Sequence, residues 1–203
     1  MKTLILIPSR LSATRLPGKP LLKINGISVI SHVVKRAKEA SIGEVCVATE
    51  DKEIVTDVEK NGGLAILTSN NPKTGTDRIY EALTKLGRTD FDLVMNLQGD
   101  EPLINLDDIR NLNNQMIKNK SCLGTLASSI TSKDILRNQN VVKVITKKNL
   151  NESNFPEAKN FFRKSKDIYD NTYHHLGIYC YTFDTLKKFV SFPQSLNEQK
   201  NKL

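Results

Sequence analysis

Short apolar runs alternate regularly with segments of helical periodicity along the first half of this chain. The pattern predicts strands at residues 2–8, 45–49, 64–68 and 93–97, and helices at residues 28–40, 51–61 and 76–86. Successive buried strands joined by helices are typical of parallel pairing, because parallel strands need long crossover connections. The sequence therefore predicts an α/β fold with a Rossmann-like, doubly wound and mainly parallel sheet, which binds ligands at the carboxyl ends of its strands.

The second half of the chain is less regular. We expect a helix at residues 107–119 and strands at residues 123–130, 141–146 and 176–183. Residues 149–170 are polar and poorly periodic, so we expect them to contain a loop or excursion that packs over the site. At 203 residues the chain can bury one sizeable core, and we expect a single domain over residues 1–203.

The charge and composition limit the classes of function. A formal net charge of +8 favours an anionic partner, but the lysines are scattered and aromatic residues make up only 6% of the chain, which argues against nucleic-acid binding. No apolar run is long enough to cross a membrane, and the N-terminus leads into a strand, so we expect a soluble, cytoplasmic protein. Cys46, Cys122 and Cys180 lie far apart in apolar runs and are predicted to be buried.

The loop after the first strand, PSRLSATRLPGKPL, concentrates positive charge at the edge where ligands should bind. Arg10, Arg15 and Lys19 lie on a segment that two prolines restrict, and Gly18 allows a close approach of the backbone to a ligand. Guanidinium and ammonium groups of this kind suit a triphosphate. The segment matches neither the P-loop nor the dinucleotide fingerprint. A solvated basic loop remains the alternative.

The segment NLQGDEP follows the fourth predicted strand. Asp100 is placed to hold Mg²⁺ between itself and substrate phosphates, because Mg²⁺ takes only one or two protein carboxylates. Gln98 offers a donor and an acceptor to a sugar or a base. A simple Gly-Asp turn would explain the same residues.

Two further segments carry candidate ligand groups. In KTGTDR, residues 73–78, short hydroxyl side chains surround Gly75 at a predicted helix start, where backbone amides bind anions; an N-cap by Thr74 or Thr76 would serve the helix equally. In HHLGIYCY, strand alternation sends His175 and Tyr179 to one face, where they could bind a polyhydroxylated ligand or form a structural pair.

Taken together, these segments resemble the 3-deoxy-manno-octulosonate cytidylyltransferases, the CMP-Kdo synthetases. PSRLSATRLPGKPL is similar to the opening motif of that family. The other matching segments occur in the family's order: NGISVISHVVKRA, VATED, TGTDR, NLQGDEP, NQNVVKV and HLGIYCY. The resemblance implies a nucleotide-diphospho-sugar transferase type of fold and a Mg²⁺-dependent reaction in which Kdo attacks the α-phosphate of CTP, giving CMP-Kdo and pyrophosphate for lipopolysaccharide synthesis.

The resemblance also implies roles for individual residues. The catalytic group comprises Arg10, Lys19 and Asp100, with Asp100 as the metal ligand. The sugar ligands are Gln98, Arg163, His175 and Tyr179. The nucleotide ligands are Pro8, Arg10, Arg15, Lys19, Thr74, Gly75, Thr76, Arg78 and Gln98. Residues 149–183 would form the sugar-binding and dimer-contact part of a homodimer.

The chain departs from the family at its end. The segment SLNEQKNKL resembles the stretch that leads into the family's last strand and helix, and the sequence stops at Leu203. By this resemblance, a sugar-contacting Glu-Gln pair and a second magnesium-binding aspartate are not present, so we expect weaker metal binding. Alternative interpretations are a cytidylyltransferase for another acidic sugar, such as 8-amino-Kdo or a sialic-type acid, and a catalytically silent nucleotide-binding protein.

Overall fold

The computed structural model describes residues 1–12, 16–151, 155–164 and 170–201. Its strands are β1 (Thr3–Ser9), β2 (Lys23–Ile24), β3 (Ile27–Ser28), β4 (Gly43–Thr49), β5 (Ala65–Leu67), β6 (Leu93–Asn96), β7 (Leu123–Ser128), β8 (Lys143–Thr146), β9 (Ala158–Phe162) and β10 (Thr172–Thr182). Its helices are α1 (Val29–Glu39), α2 (Lys52–Lys60), α3 (Gly75–Leu86), α4 (Leu106–Asn119), α5 (Lys133–Arg137), α6 (Phe183–Ser191) and α7 (Leu196–Asn201), and a 3-10 turn spans Lys19–Leu21.

The chain divides into two compact units. The first comprises residues 1–124 and 178–191, and the second comprises residues 125–177 and 192–203. Strand β10 contributes its first residues to the second unit and its last residues to the first. The expectation of a single domain over residues 1–203 stays a prediction.

The sheet of the first unit confirms the predicted α/β fold. Its strand order is β5-β4-β1-β6-β10, with β1 parallel to β4 and β6, and β4 parallel to β5. Only the end of β10 is antiparallel, pairing with β6 from Tyr179 to Thr182. Because four neighbouring strands run in one direction, their carboxyl ends share one edge of the sheet.

Apolar side chains on strands and helices bury the core of this unit. A cluster that includes Leu4, Leu6, Ile79 and Val94 is almost fully buried between the sheet and its helices. Helix α3 contributes Ile79 and Leu83 to this cluster, whereas α1 buries its own apolar face, which includes Ile30 and Val33, outside it. The predicted elements of this unit are therefore confirmed, with ends that differ by one or two residues.

The second unit contains a small antiparallel arrangement. Strand β8 pairs with β9 on one side and with the beginning of β10 on the other. Strand β9 lies within residues 149–170, where the sequence predicted no strand. Three of its five residues are exposed, so its sequence lacks the apolar alternation that identifies a strand.

One cysteine prediction was wrong. Cys46 and Cys180 are buried, and burial raises the pKa of each thiol to about 12, so both stay protonated. Cys122 is exposed, because it lies in the connection between α4 and β7 rather than within a strand. Among the described residues, no helix has the length and apolar character needed to cross a bilayer.

Candidate active site

Three loops approach one another at the carboxyl edge of the first unit's sheet, around Pro8. A β-carbon added to Gly99, after β6, would lie 2.9 Å from the Pro8 carbonyl oxygen. A β-carbon on Gly75, at the start of α3, would lie 3.2 Å from the Pro8 ring. The two glycines permit this close approach, so the segments that contain Gln98, Asp100 and Thr74 converge on the end of β1.

The first loop is held at both ends by hydrogen bonds. The Leu11 amide donates to the Asp51 carboxylate at 2.8 Å, and the Gly18 amide donates to the Leu11 carbonyl at 3.0 Å. Gly18 has a φ of 71°, a left-handed conformation that other residues rarely adopt. Arg10 is exposed at the entrance of this loop. Arg15 lies outside the described residues, so its predicted role stays a prediction.

Lys19 and Asp100 form an ion pair across this edge. Their Nζ and Oδ2 atoms are 2.8 Å apart, and the side chains are 34% and 56% exposed. The structure thus brings together the predicted phosphate-binding cation and the predicted metal-binding carboxylate. An exposed pair contributes only about 1 kcal/mol or less, so a charged ligand can separate the two groups at low cost.

Helix α3 begins with a capping box in the TGT segment. The Asp77 amide donates to the Thr74 hydroxyl oxygen at 3.1 Å, and the Thr74 amide donates to the Asp77 carboxylate at 3.0 Å. The N-cap anticipated for Thr74 is therefore present, and it fixes the shape of the helix start. Thr76 is half-buried and hydrogen-bonds the Tyr181 hydroxyl. Direct nucleotide contacts by Thr74, Gly75 and Thr76 stay a prediction.

Arg78 points into the protein rather than along its surface. Its side chain is 4% exposed and donates to Glu50 at 2.5 Å and to the Thr68 hydroxyl at 2.7 Å. These contacts join the ends of β4 and β5 to the first turn of α3. The geometry favours support of the predicted nucleotide pocket, and direct binding of the nucleotide by Arg78 stays a prediction.

Gln98 and Tyr179 are the predicted sugar ligands that belong to the first unit. Gln98 is half-buried just beyond β6, and Tyr179 is paired in register with Asn96, the last residue of that strand. The Tyr179 ring stacks on Tyr181 with a centroid distance of 6.1 Å. Burial raises the pKa of Tyr179, so its phenol stays protonated and able to donate a hydrogen bond.

His175 is a buried residue of the second unit. Its Nε2 atom lies 2.9 Å from the Thr125 hydroxyl, and Phe161 meets its ring edge-to-face at 5.0 Å. Desolvation, with the nearby His174 as a smaller cause, lowers the pKa of His175 from 6.5 to about 4. At neutral pH this side chain is uncharged and can act only as a hydrogen-bonding group.

Arg163 follows β9 in the second unit and is half-buried. Its Nη1 atom donates to the Asn140 carbonyl at 3.0 Å, and its own carbonyl accepts from Lys143 at 2.6 Å. Among the predicted sugar ligands, Arg163 and His175 thus share a unit.

Three residues that shape these sites were not predicted from the sequence to have a role. Glu50 and Asp51, in VATED, hold Arg78 and the first loop, and the only signal for them was their position after a predicted strand. Lys143, in NQNVVKV, is fully buried. A lysine inside an apolar strand is uncommon, and this feature of the sequence could have indicated a buried lysine with a specific role.

The donors present fit a Mg²⁺ ion bound mainly through substrate. The described residues hold no cluster of three His, Cys, Asp or Glu side chains that could form a complete protein site. Asp100 is exposed at the edge where phosphates are expected, and Glu101 adjoins it. Mg²⁺ usually binds through one or two carboxylates together with phosphate oxygens and waters.

The mainly parallel sheet, with basic and acidic groups at its carboxyl edge, is that of an α/β protein that binds its ligand there, and its fold matches that of a nucleotidyltransferase. The sequence profile of the cytidylyltransferase family matches residues 4–203. The chain belongs to this family and, within it, to the 3-deoxy-manno-octulosonate cytidylyltransferases.

Individual relatives support this assignment. The 3-deoxy-manno-octulosonate cytidylyltransferase of Nitrobacter winogradskyi is 41% identical over 209 residues, covering 100% of this chain and 80% of that protein. The enzyme of the same name from Rhodopseudomonas palustris is 43% identical, with 100% and 82% covered. Among solved structures, CMP:2-keto-3-deoxy-manno-octonic acid synthetase complexed with CTP superposes with a TM-score of 0.88 at 35% identity, covering 100% of this chain and 83% of that one.

Proposed function

We propose that this chain transfers the cytidylyl group of CTP to the anomeric hydroxyl of Kdo in a Mg²⁺-dependent reaction. The observation that carries the proposal is the Lys19–Asp100 pair, which lies where three loops converge in a chain whose fold matches a CTP-bound synthetase of the same sugar class. Two opposite charges at one point suit a substrate that brings both phosphate oxygens and a cation.

The reaction requires one bond exchange at the α-phosphorus of CTP. The anomeric oxygen of Kdo forms a bond to that phosphorus, the bond to the oxygen bridging the α- and β-phosphates breaks, and pyrophosphate leaves. The proton of the sugar hydroxyl is released to solvent. Catalysis of such a transfer depends mainly on positioning and on stabilising charge.

The basic residues of the first unit supply that stabilisation. Arg10 and Lys19 neutralise the charge that builds on the leaving pyrophosphate, and Asp100 is the residue that would hold a Mg²⁺ ion. When bound, the ion neutralises phosphate charge and polarises the P–O bonds. The backbone amides at the start of α3 add donors that do not titrate.

The sugar is held by neutral groups and one cation. His175 is uncharged at neutral pH and Tyr179 keeps its proton, so both bind sugar hydroxyls without acting as acids. Arg163 pairs with the carboxylate of the acidic sugar, which fixes its orientation.

The direct test is to incubate the purified chain with CTP, Kdo and Mg²⁺ and to follow pyrophosphate release. We expect release that requires both substrates and is lost with EDTA, and faster release with Kdo than with 8-amino-Kdo or a sialic acid. Release with a sialic acid but not with Kdo would reassign the sugar. Stabilisation of the fold by CTP without release would indicate a catalytically silent nucleotide-binding protein.

A further inference from the structure

Lys143 is a fully buried lysine whose ammonium group has a complete set of partners. Its Nζ atom donates to the carbonyl oxygens of Asn138 at 2.7 Å, Val141 at 2.9 Å and Arg163 at 2.6 Å. An ammonium group has three N–H donors, so each one is used. Burying such a charge is expensive, and a fold that keeps it gains something specific from it.

The three carbonyls belong to two segments that are distant in sequence. Asn138 and Val141 close the turn between α5 and β8, where the Val141 amide also donates to the Asn138 carbonyl at 3.2 Å. Arg163 lies directly after β9, which pairs with β8 so that Lys143 stands opposite Phe162. Lys143 therefore ties the backbone of Arg163 to this turn.

The side chain of Arg163 reaches the same turn. Its Nη1 atom donates to the Asn140 carbonyl at 3.0 Å, between the two turn carbonyls that bind Lys143. The Lys143 ammonium group thus binds the turn that accepts a hydrogen bond from the Arg163 guanidinium. It also binds the backbone carbonyl of Arg163 itself. This arrangement limits both the position and the direction of the Arg163 fork, which is what bidentate recognition of a carboxylate requires.

We infer that Lys143 is a positioning residue for Arg163 and thereby sets the selectivity for an acidic sugar. The inference rests on the proposed function, because it takes the Arg163 guanidinium as the ligand of the sugar carboxylate. The three hydrogen bonds of the Lys143 ammonium group all go to backbone carbonyl oxygens, and the residue acts through Arg163. Desolvation lowers the pKa of Lys143, and the nearby Arg163 charge lowers it further, consistent with two cations held close together.

The test is steady-state kinetics of Lys143→Met, which keeps an unbranched apolar stem of similar shape but removes the ammonium group. We expect the KM for Kdo to rise at least about tenfold and the KM for CTP to change less than about twofold, since one mispositioned ligand costs on the order of 1.4 kcal/mol or more. Lys147→Met is the matched control, because Lys147 is an exposed residue that pairs with Glu157, and it should leave both constants unchanged.

A double-mutant cycle separates positioning from general support. Arg163→Ala removes the guanidinium but keeps the carbonyl that binds Lys143, so adding Lys143→Met to it should raise the KM for Kdo by no more than about twofold. Additive effects, or parallel losses of affinity for CTP and Kdo, would overturn the inference.

Two further outcomes are decisive. If Lys143→Met and Lys143→Gln both lack a cooperative thermal transition, the lysine supports the whole unit and the inference is wrong. Wild-type turnover of Kdo is measured first: its absence would defeat the proposed function, whereas normal wild-type turnover with unchanged kinetics of Lys143→Met would defeat this inference alone.

Discussion

At the scale of single residues, the proposed chemistry depends on the charges at the sheet edge. Lys19 and Asp100 neutralise one another in the free protein, and both are partly exposed. In the proposed reaction, a nucleotide that arrives with a divalent ion would offer each of them a new partner, phosphate for the lysine and metal for the carboxylate. The cost of opening the exposed pair is about 1 kcal/mol or less, which binding of a triphosphate easily exceeds.

Asp100→Asn tests this division of roles. The variant keeps the shape of the side chain but loses the charge that binds Mg²⁺, so we expect turnover to fall at least about 100-fold, the range found when one electrostatic contact is removed. Affinity for CTP without metal, measured by calorimetry, should not fall, because Lys19 is then released. Asp107→Asn, which removes an exposed carboxylate on α4, is the control. Normal turnover of Asp100→Asn would remove Asp100 from the metal site.

Arg78 shows what a motif cannot reveal by itself. TGTDR indicates a basic residue in a nucleotide-binding segment, but the partner Glu50 lies 28 positions away and the guanidinium is buried. Whether an arginine side chain faces solvent or the interior depends on such distant partners. The sequence could therefore predict that Arg78 lies near the nucleotide pocket, but not that its side chain is buried.

Arg78→Met should therefore act on stability. Removing one member of a buried ion pair leaves the other without its partner, and we expect a loss of about 3 kcal/mol in the free energy of unfolding, measured with urea. Arg110→Met, which removes a more exposed guanidinium, should cost about 1 kcal/mol. A variant with wild-type stability but weakened CTP binding would instead make Arg78 a direct ligand.

At the scale of elements, the regular part of the sequence was predictable. Strands β1, β4 and β6 are continuous apolar runs buried on both faces, and α1 and α3 have clear apolar stripes, so their patterns are unambiguous. Strand β9 is mostly exposed and α5 has five residues, which leaves too little pattern to recognise. In β10 the buried positions shift from Tyr173 and His175 to Ile178 and Cys180, so simple alternation does not describe the whole strand.

The burial of His175 on β10 predicts a pH dependence of stability. Its pKa is about 4 in the folded protein and near 6.5 in the unfolded chain, so below 6.5 the unfolded state binds a proton that the folded state does not. The free energy of unfolding should therefore decrease as the pH is lowered. This group alone should contribute a decrease of about 2 kcal/mol from about pH 7 to about pH 5. Urea unfolding of His175→Gln should show a smaller decrease, with His32→Gln as the control. If His175→Gln loses as much stability at low pH as the wild-type protein, other groups cause the pH dependence.

At the scale of the whole molecule, the two units divide the predicted ligands. The first unit carries Lys19, Asp100 and the start of α3, and the second carries Arg163 and His175. The order of the motifs along the chain was enough to predict these residues as ligands. Their internal supports, Glu50, Asp51 and Lys143, depend on contacts between distant segments, which spacing along a sequence does not encode.

In the proposed reaction the chain joins the α-phosphate of CTP to an acidic sugar. Phosphorus-31 NMR of a reaction with CTP, Kdo and Mg²⁺ tests it directly, because each phosphorus atom reports its own bonds. We predict that the three CTP signals disappear together as one phosphodiester signal of CMP-Kdo and one pyrophosphate signal grow in equal molar amounts. Formation of CDP and inorganic phosphate, or of free CMP without a sugar adduct, would contradict the account.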